Sequence, residues 1–119
     1  MNIKILTSAG IDYNAGLECF SGDASIYERV LRAYAADDVV QRARKAYESG
    51  DRRMLLAAVH EAKGASGNIA LEDVYRVVSE LVKLLRSENY TDEELTRRFL
   101  LFESAYSSSQ TAIHRALEE

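Results

Sequence analysis

A chain of 119 residues with 47% hydrophobic and 29% charged side chains is long enough for one folded domain and too apolar for intrinsic disorder. Its net charge of −4 gives no support to a nucleic-acid role, which would need a basic face; the densest cluster, Arg42, Arg44 and Lys45, is diluted by Glu48 and Asp51 and reads as a solvated helix face. Proline is absent, which favours long uninterrupted helices, and no apolar run reaches the length of a membrane span.

Residues 1–10 carry little pattern and are expected to form an extended or loosely docked arm. Asp12 is placed to cap a short helix that turns Leu17 and Phe20 inward, and Gly22 stops it. Ser25 and Glu28 are spaced as a capping box for a longer helix, with Ile26, Val30 and Tyr34 as an i, i+4 stripe. Asp37-Asp38 interrupts the stripe, and Val40, Ala43 and Tyr47 resume it out of phase, which predicts a kink or short break. Gly50-Asp51 ends that element and starts the next, a helix over about 52–67.

Asn68 to Ala70 form a tight corner. A further helix buries Val74, Val77, Val78, Leu81 and Leu84 or Leu85, and frays at Ser87-Glu88-Asn89. Thr91 and Glu94 form a second capping box, opening a long helix marked by Leu95, Phe99, Phe102, Tyr106, Ile113 and Leu117. No strand-like alternation and no repeat occurs. Long amphipathic helices joined by short connections predict an all-α fold, an up-down antiparallel four-helix bundle with an additional short N-terminal helix, over a single domain 1–119.

The chemistry concentrates in one helix. Leu55, Ala58, Val59, Ala62, Ser66 and Ile69 make its core stripe by three- and four-residue steps. His60 falls off that stripe, in the row Arg53, Leu56, His60, Lys63, Gly64, Gly67, so the imidazole is expected to reach solvent. Each of the two glycines costs roughly 1 kcal/mol relative to alanine in a helix interior. A surface histidine without function does not account for them; close approach of another molecule does.

Neutral imidazole is a nucleophile near neutral pH, and attack on an activated phosphoryl group would give a phosphoramidate. The Lys63 ammonium, at i+3, would offset charge on the phosphoryl oxygens as a point charge. Leu56, Gly64 and Gly67 are the expected points of partner approach. No phosphate-cradling glycine loop appears, so a partner must supply Mg²⁺ and the in-line geometry. That pattern describes a carrier, not a self-sufficient enzyme.

These residues resemble the histidine-containing phosphotransfer domains of multistep two-component phosphorelays, whose motif is roughly His-x-x-Lys-Gly-x-Ser/Ala-x-x-x-Gly. His60, Lys63, Gly64 and Ser66 match it, and Gly67-Asn68-Ile69 continues in wording common among bacterial members. Gly10-Ile11-Asp12 through Gly16-Leu17, Phe20 and Gly22-Asp23 looks like the family's N-terminal helix and following turn, and Gly50-Asp51 like its approach to the histidine helix. The resemblance covers about residues 10–117. Two positions depart from it: Ala62 stands for a frequent leucine and Ala70 for the final glycine.

The resemblance implies a four-helix bundle with His60 as phosphoacceptor, Lys63 as the phosphate-stabilising cation and Gly64 as the close-approach position. It implies no bound cofactor, with Mg²⁺ held by the partner. The implied partners are response-regulator receiver domains, a hybrid sensor histidine kinase, or both, acting on a monomer without nucleic acid or membrane contact. Within the family, direct phosphorylation by a kinase domain of the chemotaxis type stays open beside relay between receivers.

Two other classes compete with this reading. A receiver-binding adaptor without phosphotransfer arises most readily when the histidine is lost, and here it is present. A metal-binding bundle needs paired ligands, but Glu61 lies about 100° around the helix from His60, whose i±4 neighbours are Leu56 and Gly64. No metal ligand is assigned. His114 has neither lysine nor glycine beside it and reads as a boundary or surface residue. Cys19 reads as a small buried filler, and the seven tyrosines as core-edge packing. A single cysteine and the lack of a secretory leader pattern predict a cytoplasmic location, for a free-standing protein or a domain of a larger one.

Overall fold

In the computed structural model, which describes residues 1–119, the proline-free sequence forms seven helices and no strand. They are α1 (Ile3–Ser8), α2 (Tyr13–Glu18), α3 (Ala24–Ala36), α4 (Val39–Ser49), α5 (Arg52–Asn68), α6 (Glu72–Ser87) and α7 (Asp92–Glu118). Each of α4, α5 and α6 packs on the helix that follows it, and α7 also receives α1, α3 and α4. With 27 residues, α7 is about 40 Å long at about 1.5 Å per residue. It therefore spans the 42 Å long axis of the molecule. The fold is a helical bundle organised on α7, and no helix is long and apolar enough to cross a membrane.

Local sequence starts and stops these helices as physical chemistry requires. The Asp12, Asp51 and Thr91 side chains each accept a hydrogen bond from a backbone N–H of their helix's first turn. Gly50 closes α4 in the left-handed region, at φ 76°. The break between α3 and α4 falls at Asp37-Asp38, where the Asp37 carboxylate accepts from the Val39 N–H at 2.7 Å. Gln110 of α7 ties down the break, donating to Tyr34 O at 3.0 Å, which also accepts the Asp37 N–H, and to Asp37 O at 2.9 Å.

Several expectations are corrected. The first ten residues are no loose arm: α1 is capped by Asn2, whose backbone N–H donates to Ala116 O at 2.8 Å, and Leu6 is fully buried. Six residues anchored by one leucine are too short to display a helical period. The cap of α3 is Asp23, which accepts from the Ile26 N–H, and not Ser25; a carboxylate also gains from the positive end of the helix dipole. The inward face of α3 is Tyr27, Leu31 and Tyr34, while Ile26 is exposed. At α7 the Thr91 hydroxyl contacts the Glu94 carboxylate directly at 3.4 Å, so only half of the expected capping box forms.

The tyrosines are not all edge residues. Tyr27, Tyr34 and Tyr106 lie in the core, with the Tyr34 hydroxyl bonded to Ser109 Oγ at 2.7 Å. Burial holds the Tyr27 phenol up at about 12. Cys19 is exposed, with Sγ 3.4 Å from Ala15 O. The short α2 sets Gly16 against Tyr27, the Phe20 ring just after it stacks on the same ring, and position 19 is left outside.

Candidate functional site

Helix α5 is placed by its inner stripe. Leu55, Ala58, Val59, Ala62, Ser66 and Ile69 are all buried, as their spacing predicts. The one polar member, Ser66, satisfies its hydroxyl within the helix by donating to Ala62 O at 2.9 Å. With that stripe fixed, the 3.6-residue period turns position 60 outward, and His60 is exposed. Lys63 is half-buried, and Gly64 and Gly67 are exposed on the same row.

The helix ends in a corner at which Ala70 takes φ 60° and the Leu71 N–H donates to Ser66 O at 3.0 Å. A left-handed alanine carries strain that a glycine would avoid. The corner nevertheless turns the chain directly into α6. The first residues of α6 therefore stand beside the last turns of α5.

Together they form an open cavity of about 530 Å³. His60, Lys63, Gly64, Gly67 and Asn68 line it from α5, Ala70 and Leu71 from the corner, and Glu72 and Tyr75 from α6. Four of the five residues predicted from sequence are thus brought to one place. Leu56 is not among the cavity's lining residues: it is half-buried and packs against the core.

The two glycines do different things. A Cβ built on Gly64 would meet no atom within 4 Å. A Cβ on Gly67 would lie 3.0 Å from both Cδ2 and Cε2 of Tyr75. Gly67 therefore also makes room for a ring of the protein itself, while staying exposed in the cavity. Only Gly64 lacks an internal reason.

Glu61, next to His60 in sequence, is drawn to the other side of the helix. Arg42 of α4 grips its carboxylate with both terminal nitrogens, at 2.8 and 3.0 Å, and reaches Asp38 through Nε at 2.9 Å. The hydrogen bonds from Arg42 hold the Glu61 carboxyl below its ordinary range. The pairing answers the charge of the Arg42 region with carboxylates, in keeping with a solvated face.

Tyr75 is the site residue that the pattern of α5 did not reveal. Its signal lay in α6: an aromatic residue off the apolar stripe of Val74, Val78, Leu81 and Leu85, and 40% exposed in the fold. The Lys63 ammonium lies over its ring, 5.8 Å from the centroid. His114 is exposed and pairs with Glu118 at 3.0 Å, away from this cavity.

No family model, curated protein or solved structure matches the chain.

Proposed function

We propose that the chain is a phosphorelay carrier. His60 accepts a phosphoryl group from the aspartyl phosphate of one response-regulator receiver domain and passes it to the aspartate of another. The observation that carries this reading is Gly64, an exposed helix-interior glycine with open space around it on the same row as an exposed imidazole. It costs about 1 kcal/mol of helix stability relative to alanine and relieves no contact inside the molecule. Its use lies outside, in letting a partner's backbone reach the His60 row.

The chemistry follows from the groups present. The unprotonated ring nitrogen of His60 forms the N–P bond as the P–O bond to the partner's carboxylate breaks. The carboxylate leaves as an anion, and the imidazole retains its N–H proton. Lys63 offsets the charge on the phosphoryl oxygens, and the partner contributes Mg²⁺ and in-line alignment. Transfer onward is the reverse step on a second receiver. The bundle is read in the same terms, as an up-down antiparallel four-helix core of a broken α3–α4 element, α5, α6 and α7. Support for that topology comes from α3 and α4 both lying along α7 and from the short connections between successive helices.

Mixing the chain with a phosphorylated receiver domain tests the proposal. Acid-labile, base-stable label should appear on the wild-type chain and be absent from His60→Gln. No transfer across a panel of receivers, or equal labelling of the variant, would contradict it.

A further inference from the structure

We infer that Tyr75 is a positioning residue that holds the Lys63 ammonium in the His60 cavity by a cation–π contact, and that Gly67 exists to seat its ring. The inference rests on the carrier reading of His60 and assigns the device that makes Lys63 usable there.

A lysine ammonium rides on a flexible four-carbon stem, and its charge is useful to a phosphoryl group only if it waits in the right place. A carboxylate would hold it but would also neutralise it. Lys63 takes part in none of the ion pairs of the molecule. Its partner is the Tyr75 ring face, 5.8 Å from Nζ to the centroid. A ring quadrupole attracts the cation and leaves its full charge available to an incoming anion.

The ring is itself held. It packs on the backbone of α5 at Gly67, where a Cβ would lie 3.0 Å from two ring carbons and press the ring off its seat by a few tenths of an ångström. The spacing Lys63–Gly67 is one helical turn, so the cation and the notch lie one above the other on α5. Tyr75, reaching across from the first turn of α6, contacts both. Three residues that sequence alone assigned to separate tasks thus form one unit.

The test is a double-mutant cycle with Tyr75→Leu, Tyr75→Phe and Lys63→Gln in the full chain. Receiver-dependent phosphotransfer is measured at limiting and saturating receiver, and the Lys63 side-chain CεH₂ signals are followed by NMR. Tyr75→Leu should lower the saturated transfer rate by about two- to fivefold, the worth of an exposed cation–π contact, with little change in KM. Tyr75→Phe keeps the ring face and should retain the rate. In the Lys63→Gln background, Tyr75→Leu should have no further effect. The Lys63 CεH₂ protons should be shifted upfield by the ring in wild type and Tyr75→Phe and lose that shift in Tyr75→Leu.

Additive losses in the double variant, or CεH₂ signals that ignore Tyr75→Leu, would overturn the inference. If the wild type forms no phosphohistidine, the carrier reading and the catalytic use of this contact fall together. The NMR shifts would then still decide the contact itself.

Discussion

Helices α2 and α5 both carry interior glycines, and the molecule treats them in opposite ways. At Gly16 in α2, a Cβ would lie 2.0 Å from the Tyr27 hydroxyl oxygen and 2.3 Å from its Cζ. The ring beneath is fully buried, with Tyr13 and Phe20 packed against it at centroid distances of 5.4 and 5.6 Å. Glycine is demanded there by the protein's own atoms. At Gly64 in α5, the same Cβ would meet nothing. A helical glycine points to a partner only where the molecule itself leaves the space empty.

Substitution turns that contrast into measurements. The largest stability change is expected at the closed site. Gly16→Ala should destabilise the protein by about 1–3 kcal/mol, the usual cost of forcing a methyl into a packed core, read from chemical denaturation. Wild-type stability would mean that Tyr27 moves aside freely, and the contrast would lose its closed member.

Gly64→Ala should act in the opposite direction, stabilising the fold by about 0.5–1 kcal/mol through helix propensity alone. A loss of stability would reveal an internal role for Gly64 and remove the argument for a partner. The smallest change belongs to Gly67→Ala. The methyl gains helix propensity but presses on Tyr75, whose partly exposed ring has room to shift. A net change within about 0.5 kcal/mol is expected. Thermal melts of Gly67→Ala in the wild-type and Tyr75→Leu backgrounds sharpen this, since removing the ring should release the full propensity gain.

How much of this was legible beforehand depends on the range of the interactions involved. Helices α5, α6 and α7 were readable because their apolar periods are long and because Asp51, Thr91 and Gly50 announce their ends through local hydrogen bonding and backbone conformation. The outward placement of His60 followed from the inner stripe of its own helix. Helix α1 was missed because its stability comes from docking Leu6 on the bundle, a contact invisible in six residues. Cys19 was misplaced for a similar reason: which side of the short α2 faces inward is decided by Tyr27, in another helix.

The candidate site divides the same way. His60, Lys63 and Gly64 share a row on one helix, so spacing alone brought them together. Tyr75 belongs to a second helix, and its place beside them depends on the corner through Ala70. Spacing likewise said nothing of the ring beside Gly67, which lies in α6. Leu56 shares the row but leans onto the core, a tilt that a helical wheel does not resolve.

On the proposed function, the His60 row receives another protein at close range. Phosphorylation of His60 in wild type and Gly64→Ala, with two donors, tests it most directly. Phosphoramidate, a small donor that needs no docking, should label both at similar rates. A phosphorylated receiver should label Gly64→Ala more slowly by about five- to 150-fold, because a methyl forced into a packed contact costs about 1–3 kcal/mol. Equal transfer from the receiver to both proteins would mean that no partner packs against Gly64.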